Sequence, residues 1–214
     1  MVTLYYSPGA CSLVPHILLQ ERELPHELVR VSTGDEEHKQ PEYLAINPLG
    51  RVPVLRTDDG ELLTEVIAIS HYLGEGFVPT EPMQRARHDE LLALFAASLH
   101  PSYIMALRPD RVVPDPSTHE AVRTAGRARF TEFLAALERR APEEGWMLGE
   151  RYTIADPYLF VMGAWGRYIG MSFEEFPRLR AIMRRVRQRP AVLRALRAEG
   201  LIGEDGRATP PART

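Results

Sequence analysis

The sequence holds a single cysteine, Cys11, in 214 residues. No internal disulfide can form, so the fold must rest on its apolar core. An excess of either charge is also missing: 26 basic residues against 29 acidic ones give a net charge of −3 and a pI of about 6.2. The totals therefore exclude the electrostatic footprint of a nucleic-acid-binding protein. Lysine is nearly absent, Lys39 being the only one among many arginines. The apolar runs are too short to cross a bilayer, and the first residues lack the basic-then-apolar layout of a secretory signal. Together these absences point to a cytoplasmic, reducing location with neither membrane nor nucleic acid as partner. What is present is ordinary globular composition, 44% hydrophobic and 26% charged, long enough for one large domain or two small ones.

Val2 to Tyr6 is rich in β-branched and aromatic residues and reads as a buried strand, broken by Pro8 and Gly9. A helix follows almost at Cys11, with Pro15 early in it, and ends near Arg22. His26 to Val31 reads as a second strand, making a βαβ unit with parallel strands. Ser32 to Gln40 reads as an exposed loop and Pro41 to Asn47 as a short helix. Asp58-Asp59-Gly60 between two apolar runs signals a hairpin, and Thr64-Glu65 opens a helix with Ile67, Ala68, Ile69, Tyr72 and Leu73 on its apolar face. Four strands with covering helices make a small α/β domain of roughly 75 residues.

From Gly74 to Met83 the chain reads as a linker, and beyond it as helices. Pro101 should kink or end the helix that carries Leu91, Leu92, Phe95 and Leu99. Ser117 to Glu120 has the capping-box pattern, and Thr153 to Asp156 repeats it with Asp in place of Glu. Tyr158 to Ile169 is apolar almost throughout and predicts a helix buried on most sides. The arginines from Arg178 to Arg197 are too many for one face and read as solvated surface, with phosphate or nucleic-acid binding as the alternative. The domain boundaries read as 1–76 for the α/β part, 84–202 for the helical part and 203–214 for a frayed tail.

Cys11 sits where the free amides and dipole of a helix start would favour a thiolate, although a lone cysteine also fits an inert buried position. Ser12 reads as the cap of that helix, and Tyr6 as packing at the strand end. Val52-Pro53 can be a plain strand start, and Glu65 an ordinary first-turn acid.

Tyr5-Tyr6-Ser7-Pro8-Gly9-Ala10-Cys11-Ser12-Leu13 resembles the bacterial beta class of the cytosolic glutathione S-transferase family. The likeness continues through Asn47-Pro48-Leu49-Gly50-Arg51-Val52-Pro53-Val54-Leu55, Leu63-Thr64-Glu65 with Ala68-Ile69, Thr153-Ile154-Ala155-Asp156, Arg189-Pro190-Ala191-Val192 and Glu199-Gly200-Leu201. It covers nearly the whole chain and implies a thioredoxin-like α/β N-terminal domain, an all-α C-terminal domain and a homodimer. It implies glutathione as co-substrate, no metal, and a detoxifying transfer of the glutathione thiolate to a small hydrophobic electrophile.

The resemblance assigns Cys11 and His100 to catalysis. It assigns Tyr6, Ala10, Cys11, Arg51, Val52, Pro53, Glu65 and Val66 to glutathione, with a cis-proline at position 53. It assigns Tyr103, Leu107 and Trp165 to the hydrophobic substrate, although helical core is the alternative for each. Cys11 would stand near the glutathione sulfur, either donating a hydrogen bond or forming a mixed disulfide. Glu65 would face the ligand amine and the amide of Val66 its carboxylate. Two positions depart from the family: Val66, where serine or glycine is usual, and Pro101, where a lysine often follows the histidine. The valine lacks a hydroxyl worth about 0.5–1.5 kcal/mol to the ligand. Alternatives on the same scaffold are a glutathione-dependent disulfide reductase and a non-catalytic ligand- or protein-binding module.

Overall fold

The computed structural model describes residues 1–209. Its chain falls into two compact units, Met1–Glu75 together with the chain from Arg187 onward, and Gly76–Val186. The residues from Arg187 to 202, read in the sequence as part of the helical domain, group with the first unit.

That first unit is a mixed four-stranded sheet with helices. Strand β1 (Val2–Tyr6) leads into helix α1 (Leu13–Glu21), and β2 (His26–Arg30) returns parallel to β1, with Leu4 opposite Leu28. After the short helix α2 (Pro41–Leu44) come β3 (Val54–Arg56) and β4 (Leu62–Thr64), an antiparallel hairpin. Its turn is closed by Thr57 and Glu61, with Gly60 at φ 93°. β3 pairs antiparallel with β1, Tyr5 opposite Val54, which gives the order β2-β1-β3-β4. Helix α3 (Val66–Leu73) follows β4 directly. α1 is buried from Leu13 to Leu19, a run apolar apart from His16.

The second unit is helical. Helix α4 (Pro82–Leu94), a five-residue π turn (Phe95–Leu99) and α5 (His100–Leu107) run on as one helix, Pro82–Leu107. Pro101 therefore does not end the helix. The widened turn just before it makes room for a ring that would otherwise strike the preceding turn, and for the bond its missing N–H cannot make. This helix is long and apolar enough to cross a membrane by length and composition alone, with an 18-residue window of mean hydropathy 1.3. The short apolar runs of the sequence conceal this, because polar residues interrupt them. Leu91, Leu92, Phe95 and Leu99 are nevertheless buried within the protein. Then come α6 (His119–Arg140), α7 (Ala155–Gly166) and α8 (Pro177–Gln188). α7 is buried along nearly its whole length, as its composition predicts. The last helix, α9 (Pro190–Ala198), packs on α1 of the first unit, where Arg189 bridges to Glu21 through two bonds of 2.5 and 2.9 Å.

Two caps differ from expectation, and a third keeps the expected bond from the Thr153 amide to Asp156. The Ser12 hydroxyl makes no cap bond to α1. At α6 the capping side chain is Asp115, which accepts the Ser117 amide at 2.9 Å ahead of a short 3₁₀ turn, while Thr118 makes no side-chain cap bond. Before α7, Asp156 is the hub: its carboxylate accepts the amides of Met147 and Thr153 at 2.8 Å each and the Thr153 hydroxyl at 3.2 Å. The segment expected as an exposed loop holds a 3₁₀ turn, Glu37–Lys39, and buries Ser32 and His38. The expected tail is ordered where it is described. Ile202 bridges to Ala208, and the Gly206 carbonyl accepts from Arg187 at 2.9 Å. Residues 210–214 of that tail lie outside the described residues.

Candidate active site

The strand β1 delivers the chain to a tight loop that ends at α1. Gly9 takes φ 70° there, a conformation glycine adopts without steric cost. Its amide donates to Glu199 Oε2 at 2.8 Å, and Glu199 Oε1 lies 2.8 Å from His16 Nδ1. Both of those side chains are fully buried. The start of the loop is stapled by Ser12, whose hydroxyl donates to the Ser7 carbonyl at 3.1 Å and accepts the Ser7 amide at 3.2 Å. Ser12 thus holds the loop closed instead of capping the helix.

Cys11 follows this loop and is only 7% exposed. Its Sγ lies 3.6 Å from the carbonyl of Val52, toward which the thiol donates. The amides of Cys11 and Ser12 favour the thiolate, but burial outweighs them, and with the charge of Glu65 it pushes the thiol up to about 12 from 9.0. Of the two sequence readings of Cys11, this environment fits the buried thiol and not the helix-start thiolate. A thiol this deeply desolvated keeps its proton at neutral pH.

The Val52–Pro53 bond is cis, as the resemblance implies. The preceding carbonyl, that of Arg51, accepts twice: from the Tyr43 hydroxyl at 2.7 Å and from Asn47 Nδ2 at 2.8 Å. The Arg51 side chain itself is exposed. Glu65 is exposed at the start of α3, with φ 70° and ψ 127°. For a non-glycine residue this costs about 1–3 kcal/mol, a strain that is found most often at functional sites. Val66, next in the chain, is buried.

The first unit thus brings Cys11, Val52 and Glu65 together, with Ala10 half-buried in the loop and Pro53 buried beneath. Tyr6 is directed elsewhere: its ring lies 6.1 Å from that of His16, and burial, then the charge of Glu199, holds its phenol above the ordinary value.

In the second unit, His100, Tyr103 and Trp165 form one aromatic cluster. The His100 ring meets Trp165 edge-on at 4.7 Å, and Tyr103 stacks on it at 4.6 Å. Tyr103 and Trp165 are buried, and burial raises the Tyr103 phenol. Leu107, at the end of α5, is 37% exposed.

Four contributors carried no role in the sequence reading: Tyr43, Asn47, His16 and Glu199. Asn47 and Glu199 fall inside motifs that carry the resemblance. Tyr43 and His16 have no such signal, and Glu199 meets Gly9 across 190 positions of chain.

Comparison with known proteins gives the class. Residues 9–75 match the glutathione S-transferase N-terminal domain and residues 120–185 the C-terminal domain. The chain belongs to the glutathione S-transferase family. Among its relatives is glutathione S-transferase GstA of Escherichia coli O157:H7, 36% identical over 211 residues, which span 92% of this chain and 98% of the relative. A solved glutathione transferase homologue from Sulfitobacter, with bound glutathione, superposes with a TM-score of 0.88 at 31% identity, over 94% of this chain and 99% of its own. A bacterial beta class enzyme from Sphingomonas chungbukensis gives 0.82 at 31%, over 94% and 100%. Relatives at 33% and 27% identity are named maleylacetoacetate isomerase (Pseudomonas aeruginosa) and disulfide-bond oxidoreductase YfcG (Escherichia coli K12).

Proposed function

We propose that this protein is a cytoplasmic, homodimeric glutathione transferase that binds glutathione at Cys11, Val52 and Glu65 and transfers its thiolate to a small hydrophobic electrophile. One observation supports this most: the Cys11 Sγ lies 3.6 Å from the Val52 carbonyl. A peptide ligand pairs with extended backbone through its own amides and carbonyls. When the ligand's cysteinyl amide takes the Val52 carbonyl, the Cys11 S–H is released from it. It then donates to the ligand sulfur and stabilises it as thiolate.

The proton of glutathione leaves to solvent. The thiolate attacks carbon, forming a C–S bond as halide departs or an epoxide opens. The site's contribution is thiolate stabilisation and proximity. Glu65 faces the ligand's amine and the Val66 amide its carboxylate. His100 serves as a proton donor or acceptor, and Tyr103, Leu107 and Trp165 hold the electrophile.

The disulfide-reductase reading requires Cys11 to attack as thiolate. The raised thiol value argues against that at neutral pH.

The test is conjugation of glutathione to aryl halides and epoxides, alongside thermal melting with glutathione. At a hundred times its Kd, glutathione adds about 2.7 kcal/mol to stability. Absence of any melting shift overturns the ligand assignment. Cys11→Ser should keep most of the activity, because a hydroxyl also donates, and Cys11→Ala should lose about tenfold. Full activity in Cys11→Ala removes the thiol from the mechanism. A panel that adds maleylacetoacetate and mixed disulfides separates conjugation from isomerisation and reduction.

A further inference from the structure

The Arg51 carbonyl, one residue before the cis bond, accepts two side-chain hydrogen bonds. Two side chains from the α2 region converge on it, the Tyr43 hydroxyl at 2.7 Å and Asn47 Nδ2 at 2.8 Å. Both residues are buried, 5% and 3% exposed. Each is itself fixed. The Tyr43 ring packs 6.2 Å from that of Tyr5 on β1, in a cluster with Val31 and Val54 against which Val52 also lies. Asn47 accepts the Leu49 amide on its Oδ1 at 3.1 Å, and its own amide donates to the Tyr43 carbonyl at 2.9 Å. Gly50, at φ 57°, lets this turn close, since a Cβ there would lie 2.8 Å from the His38 carbonyl.

The geometry of one peptide bond gives this clamp a consequence. The carbonyl of Arg51 and the amide of Val52 belong to the same planar trans unit, so they point in opposite directions. Two donors that fix the carbonyl toward α2 also turn the Val52 amide away from α2. On the other side of Val52, its carbonyl faces Cys11. Both backbone groups of Val52 are aimed before any ligand arrives.

We infer that Tyr43 and Asn47 are positioning residues of the glutathione site, acting through the Arg51 carbonyl to pre-orient the backbone groups of Val52 that pair with the tripeptide. This rests on the proposed glutathione reading. Neither residue touches the ligand. They lower the ordering cost of binding, since a loop already held in its bound conformation loses less freedom. Either donor alone still holds the carbonyl in part, so removing both costs more than the two single losses combined.

The experiment compares wild type, Tyr43→Phe, Asn47→Ala and the double variant in glutathione conjugation and calorimetric glutathione binding. Tyr43→Phe keeps the ring packing and deletes one donor. KM and Kd for glutathione should rise about three- to tenfold in each single variant. kcat at saturating glutathione and KM for the electrophile should stay within about twofold. The Val52 amide resonance should shift in the ligand-free variants. A purely structural role lowers the melting temperature but leaves KM for glutathione unmoved, and that outcome overturns the inference. If Tyr43→Phe does not fold, Asn47→Ala carries the same readings. A wild type that shows no glutathione saturation overturns the parent reading, whereas a saturable wild type with unchanged variants overturns the positioning role alone.

Discussion

Cys11 shows how a local environment reverses a local expectation. A helix start supplies amides that favour a thiolate, yet desolvation prevails and raises the thiol to about 12. Two consequences can be measured. At pH 8, alkylation of Cys11 in the ligand-free protein should run at least about a hundredfold slower than that of an unfolded reference chain, because so little thiolate is present. The raised value also sets a sign for stability. Between pH 9 and 12 the unfolded chain releases this proton while the folded one keeps it, so the contribution is full below pH 9 and is lost as pH climbs toward 12. The alkaline fall in melting temperature should therefore be shallower in Cys11→Ala than in wild type. Glu65 supplies the opposite case, a residue held against its backbone preference. Glu65→Gly relieves that conformation, so its melting temperature should be at least that of wild type while glutathione binds more weakly. Tighter binding in that variant would detach Glu65 from the ligand.

Among the elements, those with a strong period or a turn signal were legible in the sequence: the βαβ unit, the Asp58–Gly60 hairpin and the buried α7. Three features were not. The π turn before Pro101 depends on how a helix absorbs a missing donor, and no residue pattern records that choice. The role of Ser12 depends on Ser7 folding back within reach of it. The clamp on Arg51 needs Tyr43 from α2 and Asn47 from the turn after it to meet at one oxygen, which only the tertiary path decides. Of the candidate site, the cis bond at Val52–Pro53 was accessible by resemblance, whereas the sequence left the ionisation of Cys11 open, because burial is a property of the whole fold. The helical unit offers a test at this scale. Gly126 of α6 lies so close to α5 that a Cβ would stand 2.5 Å from the Ala106 amide nitrogen and 2.8 Å from the Ser102 carbonyl. Both are backbone atoms that cannot swing aside. Gly126→Ala should therefore destabilise by about 1–3 kcal/mol despite alanine's better helix propensity. Differential scanning calorimetry reads this as a melting temperature lower by several degrees.

At the scale of the whole molecule, the first unit is discontinuous in sequence. Its sheet and the residues assigned to glutathione come from the first 75 residues, but α9 packs on α1, Arg189 bridges to Glu21, and Glu199 holds both Gly9 and His16. A chain ending at Val186 should therefore lose glutathione binding and expose β1 and α1 to proteolysis, although every residue assigned to glutathione is still present. Retention of binding by that chain would show that the Glu199 contacts are dispensable.

The same discontinuity imposes an order on biosynthesis. Gly9 and Glu199 lie 190 positions apart. At about 5–20 residues per second, translation takes roughly 10–40 seconds to pass from one to the other. Throughout that time the loop before Cys11 waits on the ribosome without its anchor. The residues assigned to glutathione are made first and completed last, so a chain that stops between Val66 and Glu199 carries all of them with no finished cradle to hold them.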